Sequence, residues 1–292
     1  MGLSAVTSAQ LTRAGLDPVA VEDLARRTVA EDLAGGVDVT SLATVPAELV
    51  GTAAFVPRAD GVVAGVGVAM ACVDVVGGVE WRTVRGDGPA GVGEPVLEVT
   101  GPVRTLLTAE RSALNLLCHL SGVATLTRSW VDAVAGTGAA IRDTRKTTPS
   151  LRFLEKYAVR VGGGVNHRMG LSDAALVKDN HVVAAGGVAR AFEAVRREFP
   201  GLDVEVECDT VEQVVEVVAA GADLVLLDNM SLEQLASSVE ICRSSGVRTE
   251  ASGGLTLDRA HAVARTGVDY LSVGALTHSA PVLDLGLDLR LH

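Results

Sequence analysis

From about residue 139 onward the sequence repeats one arrangement: a short apolar, often β-branched run, a charged or glycine-rich turn, then an amphipathic helical stretch. Strand candidates lie at 139–142, 174–177, 204–206, 224–227, 247–249 and 270–273, and helical periodicity is plainest at 187–198, 211–220 and 232–243. Apolar strands joined by helices are covered on both faces, the pattern of a parallel sheet. With no dinucleotide-binding glycine fingerprint, a series of such βα units favours an α/β barrel over an open, doubly wound sheet.

Upstream, residues 106–134 are apolar with helical period, with Thr105 or Thr108 available as cap and Gly136 as terminator, which predicts one or two helices leading into the first barrel strand. Residues 52–103 alternate short Val-rich runs with glycine and proline, as in GVVAGVGVA and GDGPAGVGEPVLEVTGP. This spacing predicts antiparallel strands and tight turns in a separate α/β layer. The expected organisation is an N-terminal domain of residues 1–115, joined by the tail 278–292, and a barrel domain of residues 116–277.

Charge narrows the partners. A net charge of -11 argues against nucleic acid or an anionic membrane, either of which needs a basic face. The uncharged stretch 61–73 is glycine-rich and too short to span a bilayer. The N-terminus has no basic segment running into an apolar one, so a cytoplasmic protein is expected. Cys72, Cys118, Cys208 and Cys242 lack metal-ligand spacing and are expected as free thiols in a reducing compartment, with no zinc site.

An anionic ligand of so acidic a chain must meet a local reversal of sign. Arg142, Arg145, Lys146, Arg152, Lys156, Arg160, Arg168 and Lys178 supply one, although Arg152, Lys156 and Arg160, spaced four apart, equally suit a solvated helix face. Among 25 basic residues the chain keeps three lysines, Lys146, Lys156 and Lys178. A lysine retained against that bias points to a need for a compact, rotatable ammonium.

The ends of the proposed strands carry polar groups in series. Asp143, Thr144, Arg145 and Lys146 follow the first, Lys178 through His181 the second, and Glu207 the third. Asp228 and Asn229 follow the fourth, Glu250 and Ser252 the fifth, and Val273, Gly274 and Ala275 the sixth. In a parallel barrel this rim is where the βα loops build active sites, above an interior of packed side chains. Strands that merely end at polar residues would account for one or two of these positions. Ser252, Gly253 and Gly254, and likewise Gly274 and Ala275, precede helix-like segments, which suits a phosphate site on the late loops; singly, such glycines more often serve a turn. Arg145, Lys146, Arg168 and Lys178 can hold carboxylates and phosphates, while Glu207 and Asp228 can bind sugar hydroxyls or share a Mg²⁺ ion. Pairing of these two acids with the nearby lysines is the competing reading. His167 either donates to an anion or orients Arg168, or is simply structural. Lys178 at a strand end also suits a Schiff-base lyase, and the whole rim a non-catalytic phospholigand-binding barrel.

The segments LLTAERSALNLLCHLSGVAT, IRDTRKTTPSLR, EKYAVRVGGGVNHRMGLSDAALVKDNH, VEVECDT, LVLLDNM, EASGGL and GVDYLSVGALTHS resemble, in that order, the blocks of the quinolinate phosphoribosyltransferase family. EDLAGGVDVTSL and PRADGVVAGV are similar to it as well. The resemblance implies an N-terminal α/β sandwich domain, a C-terminal incomplete, seven-stranded α/β barrel, and a homodimer or hexamer with sites shared between subunits. It implies a reaction of quinolinate with 5-phosphoribosyl 1-diphosphate and Mg²⁺ that gives nicotinate mononucleotide, diphosphate and carbon dioxide. By the same resemblance Arg111 reaches a neighbouring subunit's quinolinate, and Arg145, His167, Arg168 and Lys178 complete that anion pocket. Lys146 serves the diphosphate, Glu207 and Asp228 the ribose and its metal, and Ser252, Gly253, Gly254, Gly274 and Ala275 the 5-phosphate, with Thr144 and Val273 beside them. Ser150 stands where the family often has glycine.

Overall fold

The computed structural model describes residues 2–82 and 85–292. The chain gathers into two compact units, Met1–Leu126 with Phe153–Gly162 and Ser279–His292, and Thr127–Arg152 with Gly163–His278. The sequence-based division at residue 115 falls inside a continuous helix, where periodicity has nothing to mark it; the units part after Leu126.

In chain order the first elements are α1 (Ala5–Arg13), α2 (Pro18–Leu33), α3 (Val39–Thr44), β1 (Val50–Pro57), β2 (Gly61–Val63), α4 (Val66–Val76), β3 (Glu80–Arg82), β4 (Gly88–Ala90), β5 (Leu97–Pro102) and α5 (Val103–Ala133). The apolar segment expected as one or two helices is thus a single helix. Next come β6 (Ala140–Arg142), α6 (Arg152–Val161), β7 (Ala175–Val177), α7 (Asp179–Ala185), α8 (Val188–Glu198), β8 (Val204–Cys208), α9 (Val211–Ala219) and β9 (Leu224–Asp228). The chain ends with α10 (Leu232–Ser244), β10 (Arg248–Ser252), α11 (Leu257–Ala264), β11 (Tyr270–Ser272), α12 (Ala275–His278) and β12 (Leu285–Leu291).

The first unit is built on an antiparallel sheet of order β12-β1-β5-β3. α4 is apolar on every side and buried from Val66 to Asp74, as a helix enclosed by its own unit must be. Its one acid is satisfied where it is buried: Asp74 accepts from the Ser4 amide at 2.8 Å and from Trp81 Nε1 at 2.7 Å. The tail passes so close to α5 that a Cβ at Gly122 would lie 2.1 Å from the Pro281 carbonyl oxygen, so glycine is required there. Lys156, expected on a solvated face of α6, is instead fully buried in it, as is Glu155, which pairs with His119 at 2.8 Å.

The second unit is a parallel sheet of order β6-β11-β10-β9-β8-β7. An isolated parallel bridge between Arg142 and Val165 adds a seventh strand position beyond β6, which makes an incomplete α/β barrel. Helices α8, α9, α10 and α11 connect successive strands, and the sequence fixes two of their starts with capping boxes: Thr210 with Gln213, and Ser231 with Gln234. Strands β8, β9 and β10 run one to three residues past their expected ends, through Cys208, Asp228 and Ser252. A strand whose inward face opens onto a cavity can carry charge at alternate positions without ending, so the first acidic residue is not its terminus.

Candidate active site

At the C-terminal ends of the parallel strands the side chains face one cavity of about 380 Å³. Thr144, Arg145 and Lys146 come from the loop after β6, His167 and Arg168 from the segment after the Val165 bridge, and Lys178 from the end of β7. Glu207, Asp228 and Ser252 enter from β8, β9 and β10. A second cavity of about 440 Å³ shares Thr144, Lys146, Asp228 and Ser252 and continues over Gly253, Gly254, Val273, Gly274 and Ala275. Arg111 alone of the expected residues lines neither cavity; it is exposed on α5 and belongs to the first unit.

Sequence reasoning missed Leu176, Leu226 and Ser272 on the same walls. Each lies two residues before a residue that was found, Lys178, Asp228 and Gly274, so the two-residue period of a strand was signal enough. It also placed Glu250 on the rim, whereas Glu250 is fully buried inside β10.

Hydrogen bonds hold the cationic loop in shape. Arg152 donates to Thr147 Oγ1 at 3.0 Å, to the Arg145 carbonyl at 3.4 Å and to the Met169 carbonyl at 3.1 Å, which makes it a brace between two loops. Thr277 Oγ1 donates to the Lys146 carbonyl at 2.7 Å, tying the first loop to the last. Buried Asp143 accepts the His167 amide at 2.8 Å and the Asn166 side chain, fixing the approach to His167 and Arg168.

The cations themselves are incompletely matched. Lys178 Nζ lies 2.8 Å from Glu207, but among the described residues Nε of Arg145 and of Arg168 is buried with no hydrogen-bond partner. Burial, and then the neighbouring Arg145 cation, lower the Arg168 pKa from its ordinary value. Two guanidiniums held in mutual repulsion cost energy that an anion between them would offset.

On the late loops the backbone is shaped for close approach. Gly253 has φ +89°, and a Cβ there would lie 2.6 Å from the Asn229 amide nitrogen and nearer still to its side chain. The helix that follows, α11, has Thr256 as N-cap without a side-chain capping bond, so its first amides are left to other acceptors.

Beneath this rim lies a charged layer that sequence reading did not anticipate inside a packed barrel. Arg142 donates to Glu250, stacks over Tyr270 at 4.7 Å, and Ser272 also donates to Glu250. His167 Nε2 meets Glu205 Oε2 at 2.6 Å. Burial, followed by the charge of Glu205, pushes Glu250 up to about 8 against the pull of Arg142. Burial raises Glu205 too, opposed chiefly by Arg142.

Two acid sets invite a cation. His167, Glu205 and Glu250 offer ligand atoms within 4.8 Å of one another, but the Arg142 guanidinium already compensates that group. Glu207 and Asp228, on adjacent strands and facing the cavity, present hard carboxylate oxygens with room for waters and phosphate oxygens, the donor set Mg²⁺ prefers.

Residues 38–121 match the N-terminal domain of quinolinate phosphoribosyl transferase and residues 123–288 its C-terminal domain. The chain belongs to the quinolinate phosphoribosyl transferase family. Within that family it is 54% identical over 276 residues to the carboxylating nicotinate-nucleotide pyrophosphorylase of Mycobacterium leprae, covering 92% of this chain and 97% of that one. The structure of NadC from Streptococcus pyogenes superposes with a TM-score of 0.91 at 38% identity, over 95% of this chain and 99% of that one. The nicotinate-nucleotide pyrophosphorylase of Francisella tularensis gives 0.89 at 37%, over 93% and 96%. The quinolinate phosphoribosyl transferase fold is therefore the one described above, an α/β barrel unit and a unit with an antiparallel sheet.

Proposed function

We propose that this chain transfers the phosphoribosyl group of 5-phosphoribosyl 1-diphosphate to quinolinate with decarboxylation, giving nicotinate mononucleotide, diphosphate and carbon dioxide for NAD biosynthesis. The observation that carries this reading is the single rim on which Arg145, Lys146, Arg168 and Lys178 meet Glu207 and Asp228, beside a glycine-lined extension. A dicarboxylate and a polyphosphate must be neutralised to be brought together, and the chain concentrates its cations there.

In this reading Arg145, Arg168 and Lys178 hold the quinolinate carboxylates, with His167 in the same wall. Lys146 meets the departing diphosphate, and Ser252, Gly253, Gly254, Gly274 and Ala275, flanked by Thr144 and Val273, take the 5-phosphate. Glu207 and Asp228 face the ribose, where their charge favours the cationic centre left as diphosphate departs, and no covalent nucleophile is needed. Those two carboxylates would hold Mg²⁺, which when bound supplies positive charge to the leaving group. Decarboxylation follows attachment of the sugar, because the charge of the cationic ring nitrogen stabilises the electron pair left at C2 until a proton from solvent takes the place of carbon dioxide there. Lys178 faces a carboxylate at 2.8 Å rather than the apolar setting that activates a Schiff-base amine, which favours an electrostatic role.

Arg111, exposed on α5, is assigned to the site of a second subunit, so in this reading the working form is a homodimer or hexamer, and the cytoplasm is the compartment proposed for it. Among the described residues no helix is long and apolar enough to cross a membrane. The deciding experiment is incubation with quinolinate, 5-phosphoribosyl 1-diphosphate and Mg²⁺. Nicotinate mononucleotide is expected, and turnover of nicotinate in place of quinolinate would defeat the assignment. Mixing Arg111→Ala with Lys146→Ala protein is expected to restore some activity, and no recovery in exchanging subunits would remove the shared site.

A further inference from the structure

His167 joins the rim to the charged layer beneath it, and its two ring nitrogens have unequal partners. Nδ1 lies 2.7 Å from the amide nitrogen of Arg168, a group that can only donate, so Nδ1 presents a lone pair. The ring proton is then on Nε2, which lies 2.6 Å from Oε2 of Glu205. Both carboxylate and imidazole are nearly buried, at 4% and 9% exposure, so neither exchanges its partner for bulk water.

We propose that Glu205 is a positioning residue for quinolinate: it accepts the Nε2 proton of His167, fixes the neutral tautomer whose Nδ1 receives the Arg168 amide, and so sets the Arg168 guanidinium in the pocket wall. His167 is then a brace and not a hydrogen-bond donor to the substrate. This rests on Arg168 being a carboxylate ligand of quinolinate.

The contacts around the ring agree with this tautomer. Around it stand Glu205, Glu250, Arg142 and the rim cations Arg168 and Lys178. Glu250 lies 4.0 Å from Nε2, and burial, followed by the charge of Glu205, raises its pKa to about 8. A second proton on His167 would turn an N–H against the Arg168 N–H. The Arg168 side chain also donates to the Ala174 carbonyl at 3.0 Å, so backbone and guanidinium are anchored together.

The first test is nitrogen NMR of protein labelled with ¹⁵N-histidine, with His167 assigned from the signals lost in His167→Asn. One protonated and one unprotonated ring nitrogen, with the proton on Nε2, is expected before and after quinolinate is added. A proton on Nδ1, or two protonated nitrogens in the complex, overturns the proposal. The second test is kinetic. Glu205→Leu is expected to raise KM for quinolinate about tenfold, the loss expected when a charge-assisted contact is misaligned, while KM for 5-phosphoribosyl 1-diphosphate stays within about twofold. Glu205→Gln keeps an acceptor in place and should retain both the Nε2–H tautomer and a KM within about threefold of the parent. Equal losses in the two variants, or an equal rise for both substrates, mean a structural role and overturn it. Where Glu205→Leu does not fold, Glu205→Gln and its spectrum decide. Arg168→Ala separates the underlying reading: an unchanged quinolinate KM sinks the pocket assignment, while the tautomer result stands by itself.

Discussion

Glu205 and Glu207 are the same residue two positions apart on β8, and they do opposite work. Glu207 stands at the rim, 12% exposed along its side chain, paired with the half-exposed Lys178. Glu205 is 4% exposed and committed to His167. The same step separates Glu250 from Ser252 and Arg142 from Thr144. One layer keeps charge accessible to incoming anions, and the layer below uses it to hold the first in place. A barrel strand thus carries two unlike functions on one face, with burial alone to tell them apart.

The largest effect that this contrast predicts is at the exposed rim lysine. Lys146→Ala should lower turnover about a thousandfold, roughly 4 kcal/mol in the transition state, while the melting temperature moves by no more than about 2 °C. Steady-state kinetics beside a thermal melt check this, and a large fall in both would place Lys146 in the supporting layer instead.

Glu250 sharpens the other side. Its carboxyl keeps a proton up to about pH 8 in the folded chain and loses it near 4.5 when unfolded. The folded state therefore binds more protons between those values, so this group's contribution to stability falls as pH rises from about 4.5 to about 8. Glu250→Gln cannot ionise and should flatten that slope, gaining on the parent by at most a few kcal/mol between pH 5 and 8 in urea titrations. A parallel pair of pH profiles would mean that Glu250 is ionised throughout.

Gly253→Ala tests the late loops. With φ +89° and Asn229 in the way, the loop must shift, and KM for 5-phosphoribosyl 1-diphosphate should rise at least about tenfold while quinolinate affinity measured alone is kept. The smallest effect is at Ser150, which holds φ +67° where the family often has glycine. Ser150→Gly should stabilise by no more than about 1 kcal/mol, read as a small rise in denaturation midpoint with unchanged kinetics.

Much of the rim was legible because strand ends announce themselves. A β-branched run that meets DTRK, KDN or SGG marks both an element and its cavity-facing end, and fourteen of the fifteen expected residues line the two cavities. Arg111 could not be placed this way, since its assigned role depends on a second chain. Glu250 was misplaced because a strand was ended at its first charge, and Glu205 was passed over inside VEVEC although it repeats Glu207 at period two. Burial of Lys156 is set by what packs around α6, which helical spacing cannot report.

Because the chain has three lysines and Lys156 is fully buried, amine-directed chemistry finds two side chains, Lys146 and Lys178, and both line the same cavity. Apart from the α-amino group, an acylating dye, a formaldehyde fixative or an amine-coupling sensor chip will attach at that cavity, the candidate active site. Immobilisation by that route is expected to silence the enzyme it was meant to display, and substrates present during coupling should shield it.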